Sequence, residues 1–307
     1  MGYTDYFGFL NKPWKFEFEG GGVYPIDNYE ANLNEIEKIK NRDGFIYPYE
    51  VSNISFSSDN KAKPIEIPNT KKPASLYKLW NSHIIKLKSY ESSEILRNYD
   101  AAFIMYFLGI LFNTRLQFTD WWFEGKIPIS DHQYFYAGPK EAEECLDYAY
   151  RFWKNLNGEY KKLLINVLFM HIKTRSYEWD WEKFTFEYMV FDGLYKIIKR
   201  THPEVNKMNK DNERLGRKLK LVCDYFSISY KKETLTKIGA LRNNLFHEAL
   251  WDTGLPIVAG STFSFYAPEH LHKLNQRIIT CLVGYNNKFS RSGWEGIVTY
   301  LFDPLEK

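Results

Sequence analysis

The chain has 307 residues, of which 44% are hydrophobic and 18% aromatic. This composition excludes a largely disordered protein and supplies enough apolar side chains for a sizeable core, with two domains as the expected number. The net charge is only +3, so the chain as a whole is not a simple polycation. The three cysteines are far apart and form no cluster with histidines, so neither a disulfide framework nor a structural zinc is indicated. A reducing cytoplasm is the expected compartment.

Two segments bear on export and on membranes. The first ten residues lack a basic stretch followed by an apolar one, so no signal peptide is predicted. The longest apolar run, 101–112, has twelve residues, whereas a helix that crosses a bilayer needs roughly 20. We therefore predict a buried helix in this run and no segment that crosses a membrane.

The N-terminal 75 residues or so are predicted to be strands and loops. Trp14, Phe16 and Phe18 alternate with charged residues, which is the period of a half-buried strand. The glycine triplet at 20–22 then predicts a hairpin turn, with a return strand from Val23. Further short strands are predicted at 45–51, 54–58 and 65–67.

From about residue 75 the pattern becomes helical, because apolar residues recur three and four apart. Pro139, followed by acidic residues, is typical of a helix start. We predict helices at 76–89, 92–113, 139–155, 160–173, 181–200, 212–226, 233–251 and 268–284. The predicted fold class is α+β: a β-rich N-terminal domain with added helices over 1–138, then an all-α helical bundle over 139–307. The tail from residue 285 is expected to pack back on the body.

The helix predicted at 233–251 has one apolar stripe and one mixed face. At about 100° per residue, a core-facing stripe is formed by Leu235, Ile238, Leu241, Leu245 and Ala249. The second face combines apolar groups, polar groups and a glycine, which suits a symmetric dimer interface with a polar cleft.

The mixed face carries the segment 242–247, with the sequence Arg-Asn-Asn-Leu-Phe-His. Arg242 can hold a phosphate and His247 can move a proton near neutral pH. Asn243 is four residues from His247, so it can orient the imidazole by a hydrogen bond. RNA supplies its own nucleophile, the 2′-hydroxyl, so its cleavage needs only phosphate positioning and proton transfer. An arginine five residues before a histidine is also compatible with a helix-end histidine beside a surface arginine.

We therefore assign Arg242, His247 and Asn243 as candidate catalytic residues for RNA cleavage, with no metal and no cofactor. A basic segment precedes them: residues 196–240 hold twelve Lys or Arg and five acidic residues, a local balance of +7. Such a segment attracts phosphates, although it can equally be a solvated helix face. From it we assign three candidate RNA-binding residues: Arg217, Lys218 and Lys220.

The segment from Ile238 to His247, IGALRNNLFH, resembles the signature of the HEPN superfamily (higher eukaryotes and prokaryotes nucleotide-binding domains). In that family an arginine, a polar residue, several further residues and a histidine lie on a late helix of a bundle. The resemblance extends over roughly residues 139–285. It implies a homodimer with two motifs facing across a cleft, metal-independent ribonuclease activity, and a setting in toxin–antitoxin or phage-defence systems, with an antitoxin or trigger protein as partner. It assigns the catalytic roles to Arg242 and His247, with Asn243 in support.

Two other functions remain open from the sequence. A non-catalytic bundle of the same fold would use Arg242 and His247 to hold a nucleotide or a protein partner. Alternatively, the β-rich N-terminal part would be a ligand- or glycan-binding sensor, and the bundle would serve as its dimerisation platform.

The remaining candidates receive structural interpretations. The acidic residues around the helix at 181–200 are more typical of a solvated face than of catalytic carboxylates; they are Glu178, Asp180, Glu182, Glu187 and Asp192. His270 and His272 are two apart and point in different directions on a helix, so no metal pair is predicted. His171 and Cys223 are predicted core residues. The aromatic residues 121–123 are predicted to pack against the protein rather than to stack on bases.

Overall fold

The structure is a computed structural model that describes residues 2–46, 53–56, 62–65, 79–88, 99–119, 125–129, 138–208, 215–252, 254 and 261–295. The strands are β1 Tyr3–Gly8, β2 Phe16–Phe18, β3 Gly21–Pro25, β4 Phe45–Ile46, β5 Asn53–Phe56, β6 Ala62–Ile65, β7 His83–Leu87, β8 Gln117–Phe118 and β9 Ile127–Pro128. The helices are α1 Tyr29–Ile39, α2 Tyr99–Leu111, α3 Pro139–Asn155, α4 Gly158–Lys173, α5 Asp180–Thr201, α6 Glu204–Met208, α7 Leu215–Phe226, α8 Lys232–Glu248, α9 Thr262–Leu282 and α10 Lys288–Arg291. The chain is therefore a mixed α/β protein.

The main sheet has five strands in the order β2-β3-β7-β1-β8, and each neighbouring pair is antiparallel. Phe16 pairs with Val23 and Phe18 with Gly21, so the hairpin predicted at the glycine triplet is confirmed. A Cβ atom on Gly21 would lie 2.0 Å from the carbonyl oxygen of Lys86. Strand β7 thus approaches the turn so closely that only glycine fits there.

The helix predicted at 76–89 is wrong for the part that the structure describes, because His83–Leu87 form strand β7. His83, Ile85 and Leu87 are buried while Lys86 is exposed, which is a period of two. Strand β7 pairs with β1 on one side and β3 on the other. Hydrogen bonds on both edges thus determine the conformation of a short apolar segment that is ambiguous in sequence.

Helix α1, Tyr29–Ile39, was not expected within the N-terminal strands and loops. Only Tyr29 and Ile36 of this helix are buried, so its apolar stripe is too narrow to be evident in sequence. Helix α9 also differs from its prediction, since it begins at Thr262 rather than at Pro268. Ser261 accepts a hydrogen bond from the backbone N–H of Ser264, and this cap supplies the earlier start.

The main sheet and the helices share one hydrophobic core. Strands β1, β2, β3 and β7 contribute side chains to the same buried cluster as α2 to α5 and α7 to α9, so the packing is continuous across residue 138. Helix α2 is buried on all sides, as predicted for the apolar run at 101–112. In the part of the chain that the structure describes, no helix has both the length and the apolar character required to cross a bilayer.

Two other packing predictions are confirmed within the described residues. Tyr285, Phe289 and Trp294 are buried, so the tail packs back as far as residue 295; residues 296–307 lie outside the described residues. Cys223 is a buried core residue, and its thiol has a raised pKa because it is desolvated. The aromatic residues 121–123 also lie outside the described residues.

Helix α8 ends at Glu248, three residues before the predicted end. Ala249 follows in the left-handed conformation, with φ 54° and ψ 30°, and its backbone N–H donates to the carbonyl oxygen of Asn244. The turn exposes Ala249, so its assignment to the core-facing stripe is wrong. Trp251 is buried after the turn and packs edge-on against Phe184, with ring centroids 5.4 Å apart.

We expect the substitution Ala249→Gly to raise the free energy of unfolding by about 1 kcal/mol, because glycine adopts the left-handed conformation without a steric cost. Ala240→Gly is the matched control: Ala240 is exposed inside α8, where glycine should lower the stability by about 1 kcal/mol. Urea denaturation followed by circular dichroism measures both changes. A loss of stability in both variants would contradict the left-handed conformation of Ala249.

Acid should destabilise the protein through His83. This side chain is fully buried, and burial lowers its pKa from the ordinary 6.5 to about 4 despite hydrogen bonds to the backbone of Trp14 and Lys12. Between these two pH values the unfolded chain binds the additional proton, so stability is lost as pH falls from about 6.5 to about 4. The contribution of His83 is of the order of 3 kcal/mol. Urea denaturation at pH 7 and pH 5 should show a smaller difference in His83→Gln than in wild type.

Candidate functional site

The side chains of Arg242 and His247 meet on the surface of α8. One terminal nitrogen of the guanidinium, Nη1, lies 3.0 Å from His247 Nε2 and 3.2 Å from Asn243 Oδ1. His247 and Asn243 are exposed, and Arg242 is half-buried. Guanidinium nitrogens are always donors, so His247 Nε2 accepts this hydrogen bond. It is therefore the unprotonated ring nitrogen, and its lone pair points at Arg242. Asn243 therefore supports Arg242, whereas the sequence had predicted that it would orient His247.

Arg242 packs against two aromatic rings that also contact each other, with ring centroids 5.7 Å apart. Its guanidinium carbon is 5.4 Å from the centroid of the Tyr188 ring on α5 and 5.1 Å from that of the Phe246 ring. Contact with aromatic faces holds the planar group in a partly desolvated position. The Nε atom is buried without a hydrogen-bond partner, so the guanidinium presents its terminal nitrogens to its surroundings.

Asp192 and Tyr188 of α5 place negative and phenolic groups next to Arg242. Burial raises the pKa of the Asp192 carboxyl, and the charges of Lys218 and Arg242 oppose this shift. Burial, together with the Asp192 carboxylate, raises the pKa of Tyr188 to about 12, so its phenol stays protonated at neutral pH. Asp192 is therefore a counter-ion of both Lys218 and Arg242. The sequence prediction of a solvated acidic face did not include these two ionic interactions.

The three predicted RNA-binding residues lie on α7 but differ in their surroundings. Lys218 is half-buried, and its Nζ atom lies 3.7 Å from Asp192 Oδ1. Arg217 and Lys220 are exposed, and Lys220 pairs with Asp224 one turn along the same helix. Of the three, Lys218 is the one that lines the cavity described next.

An open cavity of about 480 Å³ is bounded by α4, α5, α6 and α7, and its lining includes Asp192, whose carboxylate interacts with the charge of Arg242. Its lining residues are Tyr160, Asp192, Tyr195, Lys196, Lys199, Arg200, Asn206 and Lys218. Among the described residues of the lining, four cations accompany one carboxylate, so this part of the cavity is basic. The basic segment at 196–240 indicates this positive charge in the sequence. The packing of α5 next to α7, which brings the charges together, is not evident from the sequence.

A second polar group lies inside the bundle, around the carboxylate of Glu187. Oε1 accepts from Thr174 Oγ1 at 2.6 Å and from His272 Nδ1 at 2.7 Å. Oε2 accepts from His171 Nδ1 and Asn275 Nδ2, both at 2.8 Å. Glu187 is only 1% exposed, so its prediction as part of a solvated face is wrong, whereas the core position of His171 is confirmed.

The environment of Glu187 keeps it ionised. Burial alone would raise the pKa of this carboxyl, but His171 and His272 outweigh it and hold the pKa well below its usual range. Burial lowers the pKa of His171, although the neighbouring Glu187 carboxylate opposes that shift. A smaller cavity, of about 210 Å³, reaches Glu187 and His272. We regard this polar cluster as a structural element that also forms part of a cavity wall.

The polar cluster also contains the residue types of a metal site, since the potential ligand atoms of His171, Glu187 and His272 lie within 4.8 Å of one another. The two imidazole rings stack with centroids 4.2 Å apart and an interplanar angle of 13°. Imidazole ligands direct their lone pairs in the ring plane, and two nearly parallel planes cannot aim them at one ion. Each ring instead donates to a different oxygen of Glu187. The geometry fits a hydrogen-bonded clamp better than a metal centre.

No known protein family, curated protein or solved structure matches this chain.

We expect Glu187→Gln to lower the free energy of unfolding by about 3 kcal/mol or more, because it leaves an amide N–H₂ facing other donors in a buried site. Glu233→Gln is the matched control. Its carboxylate is 76% exposed and pairs with Lys237, so the substitution should change the stability little. Urea denaturation at pH 7 measures both variants. If Glu187→Gln and wild type were equally stable, the buried Glu187 carboxylate would not be the hydrogen-bond acceptor of the surrounding donors.

Proposed function

We propose that this chain is a metal-independent endoribonuclease of the HEPN type. The observation that carries the proposal is the 3.0 Å contact between the Arg242 guanidinium and the His247 imidazole on an accessible face of α8. The packed helices α3 to α9 support the bundle that the sequence resemblance implies, and the strand-rich residues before them support the proposed α+β architecture. The nearby basic cavity supports a polyanionic substrate.

In the proposed reaction, Arg242 holds the phosphate of the bond to be cleaved and stabilises its developing negative charge. His247 Nε2 takes the proton of the ribose 2′-hydroxyl, and the 2′-oxygen forms a bond to phosphorus. The bond from phosphorus to the 5′-oxygen breaks, and this oxygen leaves with a proton. The products are a 2′,3′-cyclic phosphate and a 5′-hydroxyl. Asn243 supports the reaction by holding Arg242.

We propose that the active form is a homodimer in which two motifs face one cleft. His247 of a second protomer would then supply the proton to the leaving 5′-oxygen. Exposed apolar side chains on the helices that carry the site favour such an association: Met189 on α5 is 47% exposed and Phe246 on α8 is 43% exposed. By the resemblance, the proposed setting is a cytoplasmic toxin–antitoxin or phage-defence system with an antitoxin or trigger protein as partner.

We expect the purified protein to cleave single-stranded RNA in the presence of EDTA and to leave 2′,3′-cyclic phosphate ends. His247→Ala and Arg242→Ala should each reduce the cleavage rate by about 100-fold or more, because each removes a group that acts in the transition state. Thr236→Ala is the matched control, since Thr236 is an exposed residue two turns earlier on α8. Mass spectrometry of the fragments identifies the ends.

Two results of the same cleavage assay would contradict the proposal. Cleavage that survives both substitutions would come from another site or from a contaminating nuclease. Cleavage that EDTA abolishes would require a metal. A dimer in sedimentation analysis together with no cleavage would instead favour a non-catalytic module that holds RNA or a protein partner through Arg242 and His247.

A further inference from the structure

The basic cavity continues the candidate site along one face of α5. Tyr188, Asp192, Tyr195 and Lys199 follow one another at intervals of three or four residues, so their side chains share one helix face. Tyr188 contacts Arg242 at one end of this row, and Lys199 lines the cavity at the other. At 1.5 Å per residue, the row is about 16 Å long. That length exceeds the size of a single phosphate group and suits an extended chain of them.

The cations of the cavity converge on one aromatic ring. Lys218 Nζ lies 5.3 Å and Lys199 Nζ 5.6 Å from the centroid of the Tyr195 ring, which is itself buried. Two ammonium groups on one ring repel each other, and Asp192, the carboxylate that the described part of the lining contributes, contacts Lys218 at 3.7 Å. An anion placed between the two ammonium groups would relieve this repulsion.

Lys196 and Arg200 add two exposed positive charges from the next turn of α5. Lys196 has only a distant and solvent-exposed partner, since its Nζ atom is 4.0 Å from Glu159 Oε1. Surface pairs of this kind contribute little and exchange readily for a stronger anion. Among the described residues, the lining of the cavity combines four cations with one carboxylate, and these groups face an open space of about 480 Å³.

We propose that this cavity binds the phosphate groups of the RNA strand next to the bond cleaved at Arg242 and His247, which is an inference that rests on the proposed function. The strand passes through the cavity along α5 from Asp192 to Lys199, and Lys199, Arg200 and Lys218 bind successive phosphates. Lys218 exchanges Asp192 for a phosphate when the strand enters. A groove that tracks one backbone along one helix face selects single-stranded RNA, with its contacts on one side of the cleaved bond.

The test measures RNA binding separately from cleavage. The protein carries His247→Ala and the buffer contains EDTA, so that a fluorescein-labelled twelve-nucleotide RNA stays intact while fluorescence anisotropy gives its Kd at several KCl concentrations. The cavity variant adds Lys199→Gln and Arg200→Gln. The matched control adds Lys38→Gln and Arg42→Gln, which remove the same charges from exposed positions on and just after α1.

We expect the cavity variant to bind at least about 10-fold more weakly than the control and to reduce the slope of log K against log salt by about 1.4, because each phosphate contact in a single strand contributes about 0.7. Equal slopes in the two variants would overturn the proposal. If wild-type protein cleaves RNA while the slopes stay equal, the cavity proposal fails and the ribonuclease proposal survives. If the slope falls in the cavity variant but wild-type protein does not cleave RNA, the ribonuclease proposal fails, whereas RNA binding by the cavity is supported.

A second arm distinguishes the source of the phosphates. ATP is titrated into the same proteins, with binding followed by isothermal calorimetry and by displacement of the labelled RNA. The cavity would be a site for free nucleotides if ATP bound tightly to the control, did not bind to the cavity variant and left the affinity for RNA unchanged. That result would overturn the proposal that the cavity binds the RNA strand. Weak ATP binding with displacement only at high concentration supports it.

Discussion

The carboxylate of Glu187 lies within hydrogen-bond distance of four side-chain donors from α4, α9 and the turn that follows α4, and this interaction constrains how these elements pack against α5. Removing a carboxylate from water costs several kcal/mol, and only complete hydrogen bonding offsets that cost. Each oxygen of Glu187 has two donors within 2.8 Å, and one of these donors, the Thr174 hydroxyl, also lies 2.6 Å from the carbonyl oxygen of His171. A shift of α4 or α9 along α5 would leave a buried charge short of partners. The polar cluster therefore specifies one packing arrangement, whereas apolar contacts alone would tolerate several.

This constraint extends to the candidate site because α5 carries both. Glu187 points into the bundle, and the next residue, Tyr188, contacts the guanidinium of Arg242. Successive residues on a helix differ by about 100°, so fixing the direction of Glu187 also fixes the directions of Tyr188 and Asp192. Arg242 gains a rigid aromatic surface and a nearby carboxylate without any contact of its own with the polar cluster. A deep structural residue can thus determine the geometry of a surface site.

The sequence predicted the elements whose signals are local. Helices α3 and α5 were predicted from apolar periodicity, and Pro139 marked the start of α3. Strand β7 was predicted as a helix because its pairing partners lie about 60 and 80 residues earlier in the chain. The sequence places Glu187 on a solvated face for the same reason: all four of its partners are brought to it only by packing, and they are His171, Thr174, His272 and Asn275. Arg242 and His247 were paired correctly in sequence because both lie on one helix.

The bond between Arg242 and His247 also bears on how the proposed reaction would begin. A guanidinium donates more strongly to a phosphate anion than to a neutral imidazole. A phosphate that reaches Arg242 would therefore draw Nη1 away from His247, and the Nε2 lone pair would become available to a hydroxyl proton. Asn243 and the two flanking rings limit how far the guanidinium can move during this exchange. Binding of the substrate and release of the base are then the same event, so His247 would act as a base only when a phosphate is in place.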